Sequence, residues 1–193
     1  MSKPSDKNEL SDGNLLRLSG NGDEDAFLVL YRRHQAAVFR FALHMSGRQE
    51  AAEEVTQEVF LAMLAHPQQY EAEKGSLQAF LIGIARNQVR RQVRNARVTS
   101  LEHIDVNEEL QGQADEHVLD ELSRAQELGA LRTAILSLPP NYREVVVLCD
   151  IEGVDYATAA VQLGCAVGTV RSRLHRARSI LETKMRRREG CPA

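Results

Sequence analysis

Residues 156–178, YATAAVQLGCAVGTVRSRLHRAR, constrain the fold more than any other part of the chain. Ala157, Ala160 and Leu163 recur at helical spacing, Gly164 supplies the residue most tolerant of positive φ, and a second helical period begins at Val167. The pattern predicts a helix-turn-helix. In its second helix Val167, Val170, Leu174 and Leu181 form one apolar stripe. At 100° per residue, Arg171, Ser172, His175 and Arg176 project from a different arc, one that can enter a major groove.

The net charge of −3 hides a segregation of charge along the 193 residues. Arg86, Arg90, Arg91, Arg94 and Arg97 form an acid-free run, and residues 171–188 are again rich in arginine. Both are candidate nucleic-acid surfaces. Between them residues 99–123 carry Glu102, Asp105, Glu108, Glu109, Asp115, Glu116, Asp120 and Glu121 without a basic residue, so repulsion keeps this stretch off DNA. Three cysteines, Cys149, Cys165 and Cys191, are too few and too scattered for a disulfide framework. Cys149 and Cys165 are expected as buried small apolar residues. No apolar run approaches the ~20 residues of a membrane span, and the polar start MSKPSDKNELSDG lacks a signal-peptide core. A cytoplasmic protein without membrane insertion is expected.

Helical periodicity organises the rest into an all-α chain of two helical domains. Residues 1–13 are expected to be a disordered tail. A first lobe over 14–98 holds a short helix at Leu15 to Leu18, a long helix from near Asp23 or Asp25 to Ser46-Gly47, a third from about Gln49 to Ala65 ended by Pro67, and a fourth capped by Ser76 and finishing in the arginine run. Residues 99–120 read as an acidic linker. The second lobe, 121–188, has helices near Glu121 to Leu138 and Tyr142 to Asp150 around Pro139-Pro140, followed by the turn motif, and 189–193 form a tail. The histidines show neither metal-ligand spacing nor pairing with a nucleophile, and there is no phosphate-cradling glycine loop. The chain is expected to be non-enzymatic, without catalytic residues, metal or cofactor.

Four motifs in this order, EEVTQEVFLAML, GSLQAFLIGIARNQVRR, LPPNYREVVVL and AVGTVRSRLHRAR, resemble those of the bacterial extracytoplasmic-function (ECF) sigma factors of the sigma-70 family. The resemblance covers roughly Asp23 to Arg187. It implies that the first lobe is like sigma region 2, binding RNA polymerase core and opening the −10 element, and that the second is like region 4, reading the −35 element of promoter DNA. It also implies an anti-sigma factor as a partner and a monomer when free. The linker is either a plain spacer or, as the resemblance implies, an acidic thread through a basic channel of the polymerase. The alternative from a different class is an autonomous helix-turn-helix regulator with a helical, partner-binding N-terminal domain.

Carried over residue by residue, the resemblance assigns Glu54, Gln57, Glu58 and Leu61, one helix face at i, i+3, i+4 and i+7, to polymerase docking. It assigns Tyr70, Lys74, Ser76, Phe80, Asn87, Arg90 and Arg91 to the −10 module, where an unstacked base needs aromatic or polar walls and cationic backbone contacts. Phe80 stands where the family often has tryptophan, and its alternative is a plain core position; Gly83 replaces a frequent basic or bulky residue. For −35 reading, Arg171, Ser172, His175 and Arg176 are the base-edge candidates, while Arg143, Tyr156 and Thr169 are the phosphate candidates. Arg173 falls on the other flank and is expected in an intramolecular salt bridge.

Overall fold

The computed structural model describes residues 7–99 and 118–189, with side chains over 7–92 and 127–186. The acidic stretch 100–117, which holds most of the expected linker, lies outside the described residues, as do 1–6 and 190–193. Among the described residues the regular structure is entirely helical. Helix α1 (Asp12–Gly20) starts at Ser11, whose hydroxyl accepts from Asn14 N, and α2 (Glu24–Ser46) starts at Asp23, whose carboxylate accepts from Ala26 N at 3.0 Å. Gly47, at φ 76°, closes α2 in the left-handed region. Helix α3 runs over Gln49–Ala65, two short 3-10 turns at Pro67–Gln69 and Ala72–Lys74 fill the next loop, and α4 runs over Leu77–Thr99.

The second lobe opens with α5 (Val118–Leu136) and α6 (Pro140–Val146). Pro140 sits in the first turn of α6, where its missing N–H removes no helical bond. Helix α6 then widens into a π turn, Val147–Ile151, in which Glu152 N donates to Val147 O at 3.0 Å. The turn motif follows as α7 (Tyr156–Leu163), Gly164 at φ 62°, and α8 (Val167–Glu189). Asp155 caps α7: its Oδ1 accepts from Ala157 N at 2.9 Å and Thr158 N at 3.0 Å, and its Oδ2 from the Thr158 hydroxyl at 2.6 Å. These bonds, the Thr158 hydroxyl first, hold its carboxyl below the ordinary aspartate range.

Several expectations are corrected. Residues 7–13 are not a disordered tail: the Lys7 ammonium meets Asp23 at 2.6 Å and Asp25 at 3.4 Å, and Arg33 donates to the carbonyls of Asn8 and Leu10 and to Asp12. The first helix is correspondingly longer than its apolar core, Leu15 and Leu16. Cys149 and Cys165 are half-buried rather than buried, each packed on the edge of the core, and burial pushes the Cys149 thiol up. Arg173 has no ion-pair partner among the described residues; the ion pairs of α8 are made by Arg178 with Asp150 at 2.5 Å and by Arg186 with Glu182 at 2.6 Å.

The two lobes share one continuous apolar core. Leu30, Val38, Phe41, Val59, Met63 and Leu81 from the first lobe belong to the same buried cluster as Leu138, Val145, Leu148, Val170 and Leu174 from the second. A closed arrangement follows, with α6 and α7 resting against α2 and α4.

Candidate nucleic-acid interface

Helix α8 displays its arc cleanly. Val170, Leu174 and Ala177 are buried, while Arg171, Ser172, His175 and Arg176 are all exposed, as 3.6-residue periodicity requires of a helix packed on one side only. The Ser172 hydroxyl folds back onto Thr169 O at 3.0 Å, so it presents an acceptor outward. Thr169 is half-buried near the start of α8, and Tyr156, 36% exposed, stands at the start of α7. The buried stripe sets the rotation of α8 about its own axis, and the surface pair Arg178–Asp150 adds a tie to the π turn. The hydrogen bonds that the Arg178 guanidinium donates to Asp150 are the main reason it is pushed further up its already high range.

Arg143 departs from its expected role. Its Nη1 donates to Met45 O at 2.7 Å and its Nη2 to the carbonyls of Leu136 and Leu138, so this guanidinium is spent on backbone inside the protein instead of facing solvent for a phosphate. Burial lowers its pKa, a direction that fits a cation drawn out of water.

In the first lobe the −10 candidates divide between loop and helix. The Tyr70 hydroxyl donates to Gly75 O at 3.2 Å, and its ring lies 5.8 Å from that of Phe80, tilted by 54°. Burial raises the Tyr70 pKa first, with Asp12 and Glu73 adding to it. Phe80 is half-buried and packed against the core, so one edge of the pair remains reachable. Ser76 accepts from Ala79 N at 3.2 Å, which makes it the cap of α4, and Lys74 pairs with Glu71 at 2.7 Å on the surface. Asn87 and Arg91, four apart on α4, are both exposed. Arg90, although on the same helix, turns toward the second lobe and makes a two-pronged contact with Glu144, Nε to Oε1 at 2.7 Å and Nη2 to Oε2 at 3.1 Å.

On α3, Glu54, Gln57 and Leu61 are exposed, Leu61 by 57%, and Glu58 is half-buried. Glu54 accepts from Gln92 at 3.1 Å. Gln57 and Leu61 border a groove of about 560 Å³ between α2 and α3. Its floor is aromatic: Tyr31 and Phe60 lie with ring centroids 4.8 Å apart, Phe27 and Phe60 at 6.3 Å edge to face, and Phe39 extends the wall. That Phe27 and Tyr31, one turn apart on α2, line an open groove went beyond the helical periodicity legible in the sequence. The available signal was Gln35, which continues the Phe27–Tyr31 row by one turn and so carries that row to solvent.

Comparison with known proteins places this geometry. Residues 30–99 match the sigma-70 region 2 family and residues 128–181 match sigma-70, region 4. Among curated relatives, the chain is 37% identical to the ECF RNA polymerase sigma factor SigE of Mycolicibacterium smegmatis over 79% of this chain and 58% of that one, so it spans little more than half of that relative. It is 31% identical to the ECF RNA polymerase sigma factor SigL of Mycobacterium tuberculosis over 83% of this chain and 90% of the relative. Among solved structures, the sigma factor RpoE in complex with the anti-sigma factor NepR from Bartonella quintana superposes with a TM-score of 0.66 at 26% identity, covering 83% of this chain and 96% of that one. CnrH, solved in complex with the cytosolic domain of CnrY, has a TM-score of 0.67 at 24% identity over 90% of this chain and 96% of that one, and so shows the shared fold.

Proposed function

Because the chain belongs to the extracytoplasmic-function sigma factors of the sigma-70 family, a class of non-enzymatic transcription initiation factors, we propose that it binds bacterial RNA polymerase core and directs it to promoters through −10 and −35 elements. The observation that carries this reading is the α8 arc: Arg171, Ser172, His175 and Arg176 are exposed on a helix whose rotation is set by the buried Val170, Leu174 and Ala177. That is the geometry by which a recognition helix offers donors to base edges while the remainder of its lobe supplies phosphate contacts.

The groove beside Leu61 supports polymerase docking by the first lobe. An exposed leucine next to clustered aromatic rings, rimmed by Glu53, Gln35 and Gln57, suits an amphipathic helical partner with basic flanks. On α4, Asn87 and Arg91 with the Tyr70–Phe80 pair supply the polar, cationic and stacking groups a single strand requires. The partner set also includes an anti-sigma factor, a reading supported by RpoE, a relative solved with one. Action on RNA polymerase implies work in the cytoplasm; separately, among the described residues no helix is long and apolar enough to cross a membrane.

The test is reconstitution. Mixed with core polymerase, the purified protein should co-elute on a sizing column and yield run-off transcripts from a subset of a promoter library. An autonomous regulator of the helix-turn-helix type would bind duplex DNA without co-eluting, and that result would overturn the proposal.

A further inference from the structure

Two glycines at helix ends are explained by their neighbours: at Gly47 a Cβ would come within 2.9 Å of Leu136 Cδ1, and at Gly20 within 3.3 Å of Pro67 Cγ. Gly83 is not explained in this way. It lies inside α4, outside the left-handed region, and among the described residues the space a Cβ would take there meets no neighbouring atom within 4 Å. A glycine in a helix interior costs stability relative to alanine, so neither backbone conformation nor packing accounts for this one. Its surroundings on the helix are distinctive. Phe80 stands three residues before it and Asn87 four after, and at about 100° per residue both lie within about 60° of the direction that Gly83 faces. Phe80 is half-buried with the Tyr70 ring 5.8 Å away, Gly83 is partly exposed, and Asn87 is exposed. Along α4 the strip therefore runs from an aromatic wall over bare backbone to a carboxamide.

We propose that Gly83 is the floor of a slot on α4 that takes one unstacked base of single-stranded DNA, its ring against Phe80 and its edge against Asn87. This slot deepens the reading of α4 as a strand-binding helix and rests on it. Seven residues separate Phe80 from Asn87, about 10 Å along the helix axis, against the ~3.4 Å spacing of stacked bases. With no side chain between them, a base reaches the helix backbone; a side chain at position 83 would stand in the same space. The two flanking groups divide the work. A ring face holds any base by stacking, whereas an amide offers both a donor and an acceptor to the base edge and so can discriminate. Close approach of backbone to a ligand is an ordinary reason for glycine where the chain itself does not require one. Gly129 supplies the contrast: it is equally open inside α5, but no aromatic residue lies within a turn of it.

The test sets stability against binding. In the full chain, Gly83→Ala should raise the melting temperature by about 2–4 °C, the shift expected at this chain length when a helical glycine is replaced. The same variant should bind a fluorescein-labelled single-stranded oligonucleotide of defined sequence more weakly, read by anisotropy with the free chain and with the chain assembled on core polymerase. Gly83→Leu, which fills the slot, should weaken binding by about fivefold or more, the low end for one stacked base. Gly129→Ala should also melt higher, with unchanged affinity. Abasic sites placed one at a time along the oligonucleotide locate the contact: at one position the difference between wild type and Gly83→Leu should vanish. Wild-type affinity in both Gly83 variants would overturn the proposal. So would a lower melting temperature for Gly83→Ala, which would give the glycine a role in the fold, or a loss that persists at every abasic position, which would put the strand's backbone at Gly83 in place of a base. Retention of the wild type by core polymerase tests the sigma-factor reading separately. A chain that core does not retain, but whose free form shows these differences, overturns that reading and keeps the slot; a wild type that binds no oligonucleotide in either form overturns the slot.

Discussion

Nη1 of Arg143 donates to the carbonyl oxygen of Met45 across 2.7 Å, tying the helix that precedes the turn motif to the last turn of α2. The same guanidinium satisfies Leu136 and Leu138 O, at the end of α5 and just beyond it, where helical carbonyls lack partners. Arg143→Ala should therefore lower stability by about 1–3 kcal/mol, the range for charged hydrogen bonds whose acceptors are left unmatched. Urea unfolding of the full chain measures it. Unchanged stability combined with a uniform loss of affinity for all promoter variants would return Arg143 to the phosphate role that its sequence position suggested.

Acid should weaken the closed protein through His44. The ring is half-buried near the C-terminal end of α2, its Nδ1 has no partner among the described residues, and burial first, then Arg132 on α5 and Arg40 on α2, push its pKa down. A depressed histidine is neutral when folded and takes up its proton in the unfolded chain at the ordinary value of 6.5. Its contribution is thus fully present above that value and is lost as pH falls below it, levelling off at the lower folded pKa. Thermal melts from about pH 7.5 to about pH 5.5 should show a smaller acid-induced drop for His44→Gln than for wild type. An identical drop in the two proteins would show that His44 does not couple to folding.

Much of this architecture is legible because its signals are local. Asp23, Gly47, Ser76, Asp155 and Gly164 each act within a few residues, on the nearest helix end, and the apolar stripes of α3 and α8 depend only on helical period. What escaped the sequence is non-local. Lys7 finds Asp23 only when the segment before α1 folds back, and Glu144 meets Arg86 and Arg90 across 58 and 54 positions. No pattern in the residues around Glu144 distinguishes a solvated glutamate from a buried clasp. The exposure of Arg171, Ser172, His175, Arg176, Asn87 and Leu61 could be anticipated from helical spacing, whereas the fate of Arg143 and Arg90 depended on how the lobes meet.

The groove between α2 and α3 makes a prediction about polymerase. Gln57→Arg with Leu61→Arg places two cations at the groove margin, beside Glu53 on the same rim. Core binding should fall by roughly tenfold or more, ~1.4 kcal/mol or more, because an exposed apolar anchor is lost and the charge of the rim is reversed. Both positions point outward on α3, so helicity by circular dichroism should be unchanged. Wild-type co-elution of the double variant would move the docking surface elsewhere.

Specificity and affinity should separate on α8. Arg171 and Arg176 are exposed on the arc opposite Val170, Leu174 and Ala177, so truncating either should cost ~1–3 kcal/mol and relax preference at one −35 position, the expectation for a lost bidentate contact to guanine. Thr169→Ala and Tyr156→Phe, near the starts of α8 and α7, should instead weaken every promoter variant by a similar factor. Arg178→Ala is the informative control. It leaves the arc and the buried stripe intact but removes the surface tie to Asp150, so its loss should be small and spread across several base positions in place of one. Competition binding of the full chain to single-base promoter variants at several salt concentrations distinguishes the three patterns, because a lost phosphate contact flattens the salt dependence and a lost base contact does not. A uniform loss for Arg171→Ala and Arg176→Ala would mean that α8 docks in another rotation.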